Sequence, residues 1–215
     1  MSKTTDELIQ GLSADLPRVP AYAVARRVSL GLGLGVLVSI AVMMGWLGPR
    51  HDLAQAIGTP MFWVKFGYAA ATGLILAAVL TRLAKPAVRP GALAAIAAAP
   101  FAVVALMAIV RIAQAPPESL QALLKGHSSA SCPWRILVIG LPVLVGAVWA
   151  VRGLAPTRLT LAGLVAGGCA GGIGAAVYSI ACSETSAPFL AIWYTAGMMT
   201  LAVAGVAGSR LLRWR

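Results

Sequence analysis

Six stretches of roughly 20 apolar residues recur along the chain, each near the length a helix needs to cross about 30 Å of hydrocarbon. They fall at residues 28–47, 61–80, 92–110, 134–151, 159–180 and 189–209. The expected fold is all-α, a polytopic membrane protein with six transmembrane helices. Composition agrees. Hydrophobic residues make up 60% of the 215, charged residues 11%, and mean hydropathy is +0.87. A soluble domain of this length needs more charge to cover its surface. The apolar bulk is Ala, Leu, Val and Gly, the material of closely packed membrane helices.

The net charge is +11. No basic stripe or aromatic stacking platform emerges, so direct nucleic-acid binding is not expected. The cations instead mark topology. Segments sharing a side with the N-terminus hold Lys3, Arg18, Arg26, Arg27, Arg82, Lys85, Arg89, Arg152, Arg158, Arg210, Arg213 and Arg215. The opposite side holds Arg50, Arg111, Lys125 and Arg135, with Lys65 just inside a span and expected to snorkel to the near interface. Twelve against five predicts both termini in the cytoplasm. Trp46, Trp63, Trp134, Tyr178 and Trp193 fall near predicted outer ends, Trp149 and Trp214 near inner ends, as an aromatic belt requires. Arg26-Arg27 precedes an apolar run too long for a secretory signal and without an A-x-A site, so that run reads as a first span.

The domain plan is then a cytoplasmic arm at 1–27, a transmembrane domain at 28–210 and a basic tail at 211–215. Gly163, Gly167 and Gly171 repeat every four residues, as do Gly168 and Gly172. Such rows let another helix approach closely, within the chain or as a dimer face, and packing within the chain is favoured. The oligomeric state is not specified. Pro100 and Pro142 lie inside spans, where they kink helices. In the longest outer loop, 111–133, residues 117–125 suit a short surface helix. In the arm, Thr4-x-x-Glu7 forms a capping box. Leu8, Ile9, Leu12 and Leu16 share a helical face opposite Asp6, Gln10 and Ser13, and Pro17 and Pro20 stop the helix. Surface helices that bind anionic lipid are usually basic, whereas this one is acidic. It is better suited to a groove on a partner protein.

The three cysteines are Cys132, Cys169 and Cys182. Cys132 lies just before the fourth span and Cys182 just after the fifth. These spans are expected to be antiparallel neighbours, which brings both cysteines to one outer face. A disulfide there, a thiol sensor and a soft-metal site all remain open. His127, five residues before Cys132, is a weak third ligand, and Glu184 follows Cys182 by two. Cys169, among glycines in mid-span, reads as an inert small residue. No carboxylate lies inside a span, and no C-x-x-C, H-E-x-x-H, P-loop or nucleophile–base pair occurs, so no enzyme is expected.

The arm, reading Thr5-Asp6-Glu7-Leu8-Ile9, then Leu12-Ser13-Ala14-Asp15-Leu16 with Pro17 and Pro20, precedes six spans. Ser131-Cys132-Pro133 and Ala181-Cys182-Ser183-Glu184 flank spans four and five. Across essentially the whole chain this resembles the NrsF family, bacterial inner-membrane anti-sigma factors named as negative regulators of sigma F. Ser13 stands where that family's pattern suggests Ala. The resemblance implies that the arm, through Asp6, Glu7, Leu8, Ile9, Leu12 and Leu16, holds an extracytoplasmic-function sigma factor at the membrane. It implies release on periplasmic heavy-metal or oxidative stress, with Cys132 and Cys182 as the responding pair. No cofactor is expected beyond a soft metal ion at that pair. The competing readings are a structural subunit of a membrane complex, with the glycine rows as its interface, and a small transporter.

Overall fold

The structure, a computed structural model, describes residues 4–14, 20, 22–85, 88, 91–154 and 156–212. The described residues form helices and connecting turns, with no strand among them. Six helices are long and apolar enough to cross a membrane: Ala23–Trp46, Pro60–Leu83, Ala92–Ala113, Cys132–Arg152, Leu159–Tyr178 and Ala187–Gly208. They are the first to sixth spans below. Prolines sit in the first turn of the second, fourth and sixth, where the missing N–H costs no helical bond. Smaller helices occupy Thr5–Ala14, Leu53–Ile57 and Leu120–Lys125, the last preceded by a 3-10 turn at Pro117–Ser119.

Several bounds differ from those expected. The first span starts at Ala23, so Arg26 and Arg27 belong to its first turns rather than to the arm. The fourth starts at Cys132, so that cysteine is its first residue. The fifth ends at Tyr178 and is the shortest, a place the sequence reading gave to the fourth. The third is interrupted at Ala97–Ala98, just ahead of Pro100, and the sixth contains a π turn at Leu190–Tyr194.

The fifth span is the core. It packs against the second, fourth and sixth, while the first lies along the fourth. The share of its apolar window buried inside the protein is 78%, against 11% for the third span, which rests at the edge on the second and sixth. Lipid tails are as apolar as leucine, so close van der Waals contact, not hydrophobic burial, holds such helices together. Both glycine rows serve that contact within the chain. Gly163, Gly167 and Gly171 face Gly205, Ala202 and Met198 of the sixth span, and Gly172 faces Gly73 and Ala69 of the second. A side chain at any of these positions meets backbone. Interhelical hydrogen bonds add to the contact. The Ser39 hydroxyl donates to the Ile139 carbonyl at 2.6 Å, and the Tyr68 and Thr195 hydroxyls meet at 2.8 Å. Each is worth about 0.6 kcal/mol by the average for such bonds. Trp46, Trp63, Trp134 and Trp149 are exposed, as belt residues are, but Tyr178 is buried and belongs to the core. Arg89, Arg213, Trp214 and Arg215 lie outside the described residues.

Candidate functional site

The two ends of the bundle carry the residues of interest. At the end where the fourth span begins, the segment after the fifth span is a hub. Lys65, expected to snorkel, is instead 1% exposed. Its ammonium donates to the Cys182 carbonyl at 2.6 Å and to the Glu184 carbonyl at 3.1 Å. The cause is helical periodicity. Lys65, Ala69, Thr72 and Gly73 lie on one buried face of the second span, and Gly73 meets Gly172. The face that docks on the fifth span thereby carries Lys65 to the residues just beyond that span's end.

Arg50 reaches the same segment. Its backbone N–H donates to the Ile180 carbonyl and its Nη1 to the Cys182 carbonyl, both at 3.3 Å. Two further guanidinium N–H groups pair with Asp52 at 2.6 Å each. Those hydrogen bonds hold the Asp52 carboxyl below the usual carboxylate range and raise Arg50 in turn. Glu184 supplies the third tie. Its Oε1 accepts the His127 N–H at 2.7 Å, the Ser128 N–H at 3.0 Å and the Ser128 hydroxyl at 3.1 Å. Gly126 makes this fit possible: its φ is +54°, and a Cβ there meets the Glu184 carboxylate.

Behind the hub lie the thiols. Cys132 and Cys182 are free, buried, and members of one core cluster with Tyr178 and Tyr194, whose ring centroids are 5.9 Å apart. Both tyrosine hydroxyls are buried, that of Tyr178 facing the Arg135 guanidinium and that of Tyr194 facing the Cys182 thiol. Cys169, within the fifth span, is free and fully buried in the same cluster. No group of three or more His, Cys, Asp or Glu suited to a metal occurs among the described residues.

At the opposite end stands the arm. Its helix, Thr5–Ala14, is closed by the expected capping box: the Glu7 N–H donates to Thr4 Oγ1 at 3.4 Å and the Thr4 N–H to Glu7 Oε2 at 3.0 Å. Asp6, Glu7, Leu8 and Ile9 are exposed, the last two by 53% and 57%. Leu12 lies in the helix with its side chain outside the described set. Leu16 and Pro17 are outside the described residues altogether. Below the arm, Arg27 Nε donates to the Ala150 carbonyl at 3.0 Å and the guanidinium lies 5.1 Å over the Trp149 ring. The start of the first span is thus fastened to the end of the fourth span remote from Cys132.

Sequence reasoning singled out the cysteines and the arm, but it set Lys65 at the interface and Tyr178 in the aromatic belt and did not bring them, Arg50 or Tyr194 to the cysteine end. The available signal was Lys65 itself, because an ionisable residue in an apolar span marks a functional site by default.

Comparison with known proteins gives a consistent result. The family described as NrsF, negative regulator of sigma F, matches residues 12–214. A Caulobacter vibrioides protein named "Anti-sigma-F factor NrsF" is 42% identical over 212 residues, covering 98% of this chain and 99% of that one. An Azospira oryzae protein named "Probable anti-sigma-F factor NrsF" is 36% identical over 213 residues, with the same coverage. No solved structure matches.

Proposed function

The chain belongs to the NrsF family of negative regulators of sigma F, and on that premise we propose that it is a membrane-held anti-sigma factor. The observation that carries this is the likeness, from end to end, to proteins named anti-sigma-F factors. The arm is the capture device. An exposed, self-capped helix with acidic residues and the apolar pair Leu8 and Ile9 suits a groove on a partner protein. Asp6, Glu7, Leu8, Ile9, Leu12 and Leu16 make the contact, and the partner is a sigma factor of the extracytoplasmic-function type. Kept on the arm, it is withheld from RNA polymerase. The excess of Lys and Arg on the arm's side supports a cytoplasmic N-terminus in a bacterial inner membrane.

Cys132 and Cys182 are the sensing pair, responding to soft metal ions or oxidants at the periplasmic face. A signal there has to favour one state of the arm over another. The fourth span offers a physical connection, since Cys132 is its first residue and the Ala150 carbonyl near its last turn holds Arg27. The glycine rows pack within the chain, as expected of intrachain packing.

The test is a pull-down of tagged full-length protein, and of the same protein lacking residues 1–20, from detergent-solubilised membranes. A sigma factor comes with the first and is absent from the second, while both insert. If neither carries one, the proposal fails.

A further inference from the structure

We propose that Lys65 is the latch of the cysteine end, pinning the Cys182–Glu184 backbone to the second span so that a change at either cysteine has to break its hold. This rests on the reading of Cys132 and Cys182 as the sensing pair, and it adds the residue that positions them.

Three observations carry it. First, Lys65 is buried, and among the described residues no carboxylate lies within ion-pair distance of it. Its ammonium donates to the carbonyls of Cys182 and Glu184. An ammonium held by neutral acceptors is secured less firmly than one in an ion pair, and once released it is left charged among apolar side chains. The hold is therefore breakable, with a large consequence when it breaks. Second, one of the two acceptors belongs to Cys182 itself. Cys182 is 3% exposed and packed in the core cluster, so an added oxygen, metal or alkyl group on its sulfur displaces its own backbone. Third, the other acceptor belongs to Glu184, whose carboxylate holds residues 127 and 128, and the Ser128 carbonyl receives the Cys132 N–H at 2.8 Å. A single side chain thus reaches both cysteines, Cys182 directly and Cys132 through Glu184.

The experiment measures N-ethylmaleimide alkylation of each cysteine in the detergent-solubilised full-length protein by peptide mass spectrometry. Cys169, buried in the fifth span, serves as the internal control for folding. Lys65→Met removes the donors at similar volume and raises the Cys182 alkylation rate by about tenfold, the scale set by losing a charge-assisted bond, with Cys169 unchanged. Lys65→Arg restores the donors and returns Cys182 toward the native rate. If Cys182 stays as protected in Lys65→Met as in the native protein, the latch is refuted. It is equally refuted if Cys169 becomes reactive in step, because Lys65 then only supports the fold. Should Lys65→Met fail to accumulate, Glu184→Gln, at a partly buried position, carries the test: it exposes Cys132 with Cys169 unchanged, and no rise at Cys132 overturns the proposal. Sigma-factor capture is scored on the same samples. An opened Cys182 with capture undiminished leaves the latch standing and overturns the sensing role of the cysteine pair.

Discussion

The cysteine end and the arm are built on opposite plans. At the cysteine end, polar groups are buried and tied across distant parts of the chain: Lys65 and Arg50 to the carbonyl of Cys182, Glu184 to two amides and a hydroxyl of the 127–128 loop. In the arm, the bonds that define the helix end are made between residues three apart, Thr4 and Glu7, and the apolar pair faces outward. A helix of 10 residues is marginal in water on its own. One end ties its polar groups across the chain, and the other leaves its apolar pair exposed.

Substitutions in the two regions sharpen this contrast. The largest effect is expected from replacing Leu8 and Ile9 together by Asp. Sigma-factor affinity, read by titration of the purified partner, falls by roughly a hundredfold, as for removal of interface anchors. The thermal midpoint of the solubilised protein stays within error. A lowered midpoint would mean that the arm packs on the bundle, and the comparison would collapse.

Next comes Glu184→Ala, which leaves two amides and a hydroxyl unpaired in a partly buried loop. It costs about 2 kcal/mol of stability in a denaturant series, and capture at rest is the secondary readout. An unchanged unfolding midpoint would show that water serves those groups equally well, making the cysteine end as loosely held as the arm. Thr4→Ala is smaller, about 1 kcal/mol of arm-helix stability, seen as reduced helicity in an arm peptide and a few-fold weaker capture. If helicity does not change, the capping box plays no part in presenting Leu8 and Ile9.

The smallest effect is the acid response of the Arg50–Asp52 pair. The Asp52 carboxyl titrates below its unfolded value, so its contribution is present above the ordinary carboxylate range and fades as pH falls through the lowered value. Asp52→Asn makes stability at neutral pH resemble that of the native protein in acid. Identical pH profiles for the two proteins would show that Arg50 needs no carboxylate to hold Cys182.

Much of the fold was legible because the bilayer imposes a length on every spanning helix, and six apolar runs of that length are hard to misread. Helix ends were less so. The run at 28–47 conceals a start at Ala23, because Arg27 bends onto the Ala150 carbonyl and Trp149 and lets the helix begin among charged residues. The arm was legible in its cap. The cysteine pair was found by topology, but its setting was not. Lys65 sits seventeen positions before Arg82 in an apolar run and looks like a residue that reaches for water. Only its register against Gly172 turns it inward.

The sequence by itself determined the number of long apolar helices, the self-capped arm and the placing of two cysteines at the same end, since each follows from local length, local hydrogen bonding or helix-by-helix alternation of direction along the bundle. Tertiary structure decided which helix is central, that the glycine rows face neighbours in the same chain, and that a lone lysine meets the backbone of a cysteine 117 positions away. Those outcomes depend on how helix faces are rotated against one another. Rotation is set by summed close contacts among small residues on several helices at once, and no single segment carries that information.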